Sequence, residues 1–157
     1  MKKNSFLFFF ILMMISTKIY TQQKEINWIT FEQLEDSLNM KPKKVFLSFY
    51  ADWCAYCKKM DRVAFKNAEV INILNSEYYS IKMDVQSKDT ILFGGKTYLN
   101  KEVRTSRRPK HEIPLLLASR KNEPFSLPAN LILDKNFTIR KRFFEYLSPK
   151  KMVSILK

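Results

Sequence analysis

The two cysteines of this chain, Cys54 and Cys57, lie three positions apart in the string WCAYC, and the chain has no others. A short run of apolar, β-branched and aromatic residues, Lys44–Tyr50, comes just before them and predicts a buried strand. After them, Met60 and Ala64 continue from Cys57 at helical spacing, so a helix is expected to begin close to Cys54. The motif therefore lies on a turn from a strand into a helix, which requires a fold that combines both kinds of element.

A cysteine at the start of a helix has a particular chemistry. Unpaired backbone N–H groups and the helix dipole favour the thiolate of Cys54 over its thiol. Cys57 lies one turn further in, so Cys54 is expected to be the attacking nucleophile and Cys57 the resolving thiol. A purely structural disulfide would close only a short loop and stabilise little. A metal half-site lacks partners because His111 is the single histidine of the chain. The motif therefore favours redox chemistry without a metal.

Residues 1–21 have the organisation of a secretory signal peptide. Lys2 and Lys3 form a basic start, and the apolar run from Phe6 to Ile15 is short of the ~20 residues that cross a bilayer. We expect cleavage after Thr21 and export to the bacterial periplasm, where disulfides persist. The residues before Thr21 match a small-x-small cleavage site poorly, so an uncleaved N-terminal membrane anchor is the alternative. Residues 22–157 are then expected to form one monomeric domain.

Helical and strand patterns alternate along residues 22–157, which is typical of the α/β class. Helices are predicted after the capping box at Thr30, after Asn67, and from Ser148-Pro149 to the C-terminus. Further strands are predicted at residues 78–85, 131–133 and 137–144, the last two as a hairpin. Residues 86–120 form a polar and basic insert with a turn at Gly94-Gly95 and a short helix near residues 110–119. Trp28, Phe31 and Leu34 are expected to cover the core.

The segment from Ser48 to Met60 (SFYADWCAYCKKM) resembles the active-site segment of thioredoxin-fold proteins. It is most similar to exported bacterial thioredoxin-like proteins and to the C-terminal periplasmic domain of the thiol reductase DsbD. The resemblance covers most of residues 26–157 and leaves out 86–120. It implies a thioredoxin-like fold, a mixed sheet flanked by helices, with an insert before the strand that follows a cis-proline. It also implies a thiol–disulfide oxidoreductase that exchanges with protein thiols and disulfides, is supplied by an upstream thiol reductant, and needs no cofactor beyond the Cys54–Cys57 disulfide.

The family also has a cis-proline opposite its CxxC motif. Pro128 matches by position, because the strand pattern ANLIL follows it directly. The resemblance thus implies that a cis bond turns the backbone of Leu127 toward the sulfurs, where it is placed to pair with an extended substrate. It implies as well that Trp53 shapes the surface around the redox pair.

The chain departs from the family at two places. Many thioredoxins carry a buried Asp six residues before the first cysteine, and this chain has Ser48, whose hydroxyl is no carboxylate base near neutral pH. Lys82, on the next strand, is expected to be an ordinary exposed residue, and the alternative is that it faces the same interior as Ser48. The dipeptide Ala55-Tyr56 lacks both the Gly-Pro of typical thioredoxins and the His of strong oxidants, so it leaves the direction of electron flow open. The likeness to DsbD favours a reductase or electron carrier. The alternatives are a non-catalytic adaptor and a disulfide oxidase or isomerase.

The chain is strongly basic, with 28 Lys+Arg against 15 Asp+Glu and a net charge of +13. Part of this excess lies in the insert, at Lys96, Lys101, Arg104, Arg107, Arg108 and Lys110. We expect these residues to form a solvated face rather than a docking site, with His111 exposed beside them. Nucleic acid is a poor fit for an exported protein without a reader motif, whereas transient contact with an anionic membrane surface fits the charge.

Overall fold

The computed structural model of the protein describes residues 25–157, and the predicted signal peptide at residues 1–21 lies outside them. The helices of the described part are α1 (Phe31–Met40), α2 (Ala55–Arg62), α3 (Ala68–Glu77), α4 (Glu112–Ala118) and α5 (Pro149–Leu156). Its strands are β1 (Lys44–Tyr50), β2 (Tyr78–Asp84), β3 (Ile91–Phe93), β4 (Lys96–Tyr98), β5 (Ala129–Leu133) and β6 (Ile139–Phe143). No helix between residues 25 and 157 has the length and apolar character needed to cross a membrane.

Four of the strands form a mixed sheet in the order β2-β1-β5-β6. β1 runs parallel to β2, with Ser48 opposite Lys82, and antiparallel to β5, with Ser48 opposite Asn130. β6 runs antiparallel to β5 and forms the other edge. Because β1 lies between two partners, its burial is nearly continuous, as its apolar sequence predicts.

Each face of the sheet is covered by helices and has its own apolar cluster. Alternating residues of β1 divide between the two, since Phe46 belongs to one cluster while Leu47 and Phe49 belong to the other. The first cluster is closed by α2, α3 and α5, and the second by α1 and α4. Phe31 and Leu34 are buried in the second cluster and Trp28 packs against the first, so the prediction that these residues cover the core is confirmed.

The helix starts follow the capping residues that the sequence predicts. The Thr30 side chain accepts from the Gln33 N–H while the Gln33 side chain accepts from the Thr30 N–H, which completes a capping box. Asn67 caps α3 and Ser148 caps α5, with Pro149 in the first turn. These local signals fix where the chain enters α1, α3 and α5.

The insert is more ordered than its polar sequence predicts. Strands β3 and β4 pair as a separate two-stranded hairpin. The predicted turn at Gly94-Gly95 joins them, with φ values of +61° and +68°, which glycine adopts without the penalty of a Cβ. The sequence predicts the turn and misses the strands, because three residues are too few for a strand pattern to emerge.

Candidate active site

The CxxC motif lies where β1 ends and α2 begins. Cys54 is the N-cap residue of α2, and its Sγ accepts a hydrogen bond from the backbone N–H of Cys57 at 3.1 Å. The two cysteines are joined by a disulfide with a Cα–Cα distance of 5.2 Å. The Cys57 N–H that reaches Cys54 Sγ is also positioned to stabilise a thiolate there once the disulfide is reduced. Both cysteines are buried, since only 5% of the surface of Cys54 and 4% of that of Cys57 is exposed.

The sheet brings the predicted proline to the same end of the molecule as the disulfide. The peptide bond between Leu127 and Pro128 is cis. The next residue, Ala129, pairs with Phe49 near the end of β1, so Pro128 lies beside the point where the chain turns toward Cys54. Leu127 is half-buried and Pro128 is buried. The antiparallel pairing of β5 with β1 is therefore what places this proline next to the CxxC turn.

Two aromatic side chains next to the cysteines stay exposed. Trp53 has 48% and Tyr56 61% of its surface accessible, although both lie at the edge of a buried disulfide. The Trp53 indole N–H donates to the Gln86 side-chain oxygen at 2.9 Å, and Gln86 is itself fixed because its backbone N–H donates to Asp84 Oδ1 at 2.9 Å. The end of β2 thus holds the indole in place. Gln86 carries no motif that would have revealed this role in the sequence.

Arg108 covers the face of the same indole. Its guanidinium carbon lies 4.3 Å from the centroid of the Trp53 ring, within the range of a cation–π contact. Sequence reasoning singles out Arg108 only as one of six basic insert residues, because the contact joins positions 55 residues apart in sequence. Arg108 therefore brings the basic loop of the insert against the redox motif.

A polar row runs beneath α2 on the sheet. Ser48 is 4% exposed and lies between Lys82 and Asn130 on the neighbouring strands. The Asn130 amide contacts Met60 Sδ at 3.7 Å, and its side-chain oxygen has no hydrogen-bond partner within residues 25–157. The position where many thioredoxins have a carboxylate is thus buried, polar and uncharged.

Lys82 corrects the expectation of an ordinary exposed residue. Its side chain is 23% exposed, and its Nζ forms a 2.6 Å ion pair with Asp61, which lies one helical turn after Cys57 on α2. Lys82 Nζ also lies 4.6 Å from the centroid of the Tyr50 ring. The prediction was wrong because the partner of Lys82 lies on a helix packed across the strand. Burial, followed by the nearby carboxylates of Asp84, Asp52 and Asp61, raises the pKa of Tyr50 above its ordinary value.

His111 also differs from its prediction. It was expected to be exposed, and it is fully buried as the N-cap residue of α4. Its Nδ1 accepts from the Ile113 N–H at 3.2 Å, and its Nε2 lies 3.1 Å from the Asp89 carbonyl oxygen, which fits the tautomer protonated at Nε2. His111 therefore has a structural role, because it caps α4 and links that helix to the backbone at Asp89.

The basic residues between Lys96 and Lys110 of the insert differ in their contacts. Lys101 and Lys110 are paired with Glu112 and Glu102, and Lys96 lies over the Tyr98 ring. Arg104 and Arg107 are exposed, and neither takes part in the ion pairs formed within residues 25–157. Only Arg108 combines an unpaired charge within that part of the chain with a contact to the redox motif.

The mixed sheet, the Cys54–Cys57 pair at a helix start and the neighbouring proline are those of a thioredoxin-fold thiol–disulfide oxidoreductase family. A family model described as "Thioredox_DsbH: Protein of unknown function, DUF255" matches residues 16–102, more than half of the chain, and the chain belongs to this family.

The curated relatives are much longer proteins. The thiol:disulfide interchange protein DsbD of Campylobacter jejuni is 34% identical over 59 residues, and that of Colwellia psychrerythraea is 42% identical over 55 residues. The matched segments cover 38% and 32% of this chain but 10% and 9% of those proteins. The match thus spans about a tenth of each relative.

Solved structures confirm the predicted thioredoxin-like fold. A DsbH oxidoreductase has a TM-score of 0.57 at 18% identity and covers 84% of this chain and 82% of its own. The DsbD C-terminal domain of Neisseria meningitidis in the reduced form has a TM-score of 0.51 at 18% identity, with coverages of 80% and 89%. A thioredoxin from Thermus thermophilus has a TM-score of 0.58 at 12% identity, with coverages of 84% and 85%. At these identities the likeness is one of fold.

Proposed function

We propose that this chain is an exported thiol–disulfide oxidoreductase that serves as a reductase or electron carrier for protein disulfides. The observation that carries the proposal is the Cys54–Cys57 disulfide at the start of α2, where the Cys57 N–H donates to Cys54 Sγ. The relatives in Campylobacter jejuni and Colwellia psychrerythraea are called thiol:disulfide interchange proteins, which supports exchange with other proteins over a non-catalytic role.

The proposed reaction starts from the reduced pair. The thiolate of Cys54 attacks one sulfur of the substrate disulfide, which forms a mixed disulfide and releases the other substrate sulfur as a thiolate. Cys57 then loses its proton, and its thiolate attacks Cys54 Sγ. The Cys54–Cys57 disulfide forms, the second substrate sulfur leaves as a thiolate, and the substrate has gained two electrons. An upstream dithiol then returns two electrons to the Cys54–Cys57 pair by the same kind of exchange and is itself oxidised to a disulfide.

The surroundings of the disulfide suggest roles for the other predicted site residues. We assign the backbone of Leu127, beside the CxxC turn, to pairing with an extended substrate segment. Trp53 would form one wall of the substrate surface, since it is exposed and yet fixed by Gln86. The basic start and the apolar run before Thr21 support export to the periplasm, with an uncleaved anchor as the alternative.

Trapping experiments test the order of attack. Cys57→Ser should accumulate a mixed disulfide with a protein substrate, because nothing resolves it, whereas Cys54→Ser should trap little. Non-reducing electrophoresis followed by mass spectrometry measures both. Equal trapping by the two variants would contradict the assignment of Cys54 as the nucleophile.

Two further measurements separate the proposed function from its alternatives. The wild-type protein should accelerate the reduction of insulin by dithiothreitol, and Cys54→Ser should not. If the chain is a non-catalytic adaptor, neither protein accelerates this reaction. The redox potential of the Cys54–Cys57 pair then distinguishes a reductant from an oxidant, because about 30 mV corresponds to a tenfold change in the two-electron equilibrium.

A further inference from the structure

A cleft opens beside the redox motif, between the CxxC turn and the insert. It has a volume of about 240 Å³ and is lined by Trp53, Val85, Gln86, Arg108, Lys110 and Phe125. Its walls combine apolar surface with two cations. One wall is the Trp53 indole, whose sequence neighbour is the nucleophile of the proposed function.

The loop that carries the two cations is held in place by its own hydrogen bonds. The Arg108 N–H donates to Ser106 Oγ at 3.1 Å. Both the backbone N–H and the Nζ of Lys110 donate to Glu102 Oε2, at 3.0 and 3.1 Å. The next residue, His111, donates its N–H to the Val85 carbonyl at 2.8 Å, which ties the loop to the end of β2.

The two cations of the cleft differ in whether a carboxylate of the chain already pairs with them. Lys110 is neutralised by Glu102, whereas Arg108 belongs to none of the ion pairs within residues 25–157. The Arg108 guanidinium lies over the Trp53 ring, and an arginine stacked in this way keeps its N–H edge available. That edge matches the two oxygens of a carboxylate.

We propose that this cleft is a substrate subsite in which Arg108 binds the carboxylate of an Asp or Glu side chain near the disulfide of the protein to be reduced. The proposal rests on the proposed function, because it needs a protein disulfide at Cys54. Phe125 contacts the aliphatic part of the acidic side chain, and the indole of Trp53 orients Arg108. An extended residue spans about 3.3–3.6 Å, so a carboxylate held above Trp53 belongs to a residue within about three positions of the attacked cysteine.

Amidated disulfide peptides test the subsite. The peptides come in pairs that differ at one position only, where one member has Glu and the other Gln. That position is each of the three on either side of the attacked cysteine in turn, so the Glu-to-Gln ratio of kcat/KM isolates one carboxylate. For wild type we expect a ratio of about five at the best position, the size of a well-placed but accessible ion pair. Arg108→Gln should bring the ratio below about two, whereas the matched control Arg107→Gln removes the same charge from the same loop and should keep it near five.

The outcomes separate the subsite from the activity. Wild-type reduction of all peptides at equal rates would overturn the subsite and leave the oxidoreductase standing. An equal loss of preference in Arg107→Gln and Arg108→Gln would also overturn the subsite, because it would reveal long-range attraction. If wild type reduces neither the peptides nor hydroxyethyl disulfide, the proposed function fails and the subsite fails with it.

Discussion

Ser48 occupies the position at which many thioredoxins carry a buried carboxylate. It is buried beneath α2, between Lys82 and Asn130, and it has no carboxylate to offer the proton of Cys57. Lys82 is already engaged by Asp61. The resolving step of the proposed reaction therefore lacks the buried base that many thioredoxins have.

Restoring that base should speed resolution at a cost in stability. In Ser48→Asp, a carboxylate beneath α2 can accept the Cys57 proton, so we expect turnover near pH 7 to rise on the order of tenfold. Because the new charge is buried without a partner, the free energy of unfolding should fall by about 3 kcal/mol. Single-turnover rates of mixed-disulfide resolution and urea unfolding measure the two effects.

Ser48→Asn is the matched control for this substitution, because it adds the same volume without a base. It should leave the resolution rate at the wild-type value. If the mixed disulfide resolves no faster in Ser48→Asp than in Ser48→Asn, the absence of a base at this position does not limit the rate of resolution.

Single residues were predictable where the local pattern decides them. The burial of Ser48 follows from its place in an apolar central strand. The setting of Lys82 and His111 could not be predicted, because Asp61 lies on a helix packed across the sheet and Asp89 lies 22 positions before His111. The resemblance to the family directed attention to Pro128, whose bond no residue pattern alone would have singled out.

Among the elements, the insert owes its order to polar contacts that sequence patterns do not reveal. Glu112, in the first turn of α4, is bound at one oxygen by Lys101 and accepts the Leu99 N–H at the other at 2.8 Å. Its own backbone N–H donates to the Leu99 carbonyl at 3.0 Å. One carboxylate thus joins the loop after β4 to the start of α4.

The contacts of the Glu112 carboxylate with Leu99 and Lys101 should weaken in acid. The hydrogen bond from Lys101, supported by the one from the Leu99 backbone, lowers the pKa of Glu112 below its ordinary value of 4.5. A carboxyl whose pKa is lower in the folded state contributes stability above its unfolded pKa, and the contribution is lost as the pH falls through the folded value. Hydrogen-exchange protection of the Leu99 amide should therefore drop below about pH 4.5 in wild type.

Glu112→Gln should make that protection lower at pH 7 and nearly independent of pH in the acid range. Glu145→Gln removes a carboxylate that pairs with Lys151 of α5, outside the insert, and should retain the wild-type acid response. An unchanged acid response in Glu112→Gln would assign the titration to another group.

At the scale of the whole molecule, the order of elements was predictable and the layout of charge was not. Apart from β3 and β4 of the insert, the strand, cap and turn signals predict the order of helices and strands, and the resemblance predicts the sheet that they build. The distribution of unpaired charge over the surface depends on which side chains contact each other in the folded chain. Lys101 and Lys110 of the insert form ion pairs with Glu112 and Glu102, whereas Arg104, Arg107 and Arg108 form none within the described part of the chain.

These three arginines should steer acidic partners over long distances. The chain carries a net charge of +13, Arg104, Arg107 and Arg108 are exposed in the insert, and Arg108 lies over the Trp53 ring. Electrostatic steering raises association rates and is screened by salt, because the Debye length falls from about 30 Å at 0.01 M to about 8 Å at 0.15 M. We expect exchange with an acidic protein disulfide to slow about tenfold over this range, while exchange with a small neutral disulfide changes little.

Replacing Arg104, Arg107 and Arg108 by Ser should remove most of this salt dependence. Lys41, Lys43 and Lys135 are the matched control, because they line a cleft at the opposite end of the sheet from the CxxC turn, where β1 begins and β5 ends. Their replacement by Ser removes the same charge, so an effect of net charge alone would appear equally in both triple variants. Steering by the insert predicts that only the arginine variant loses its response to salt. If that variant responds to salt as wild type does, the insert is a solvated loop whose arginines do not guide partners toward Cys54.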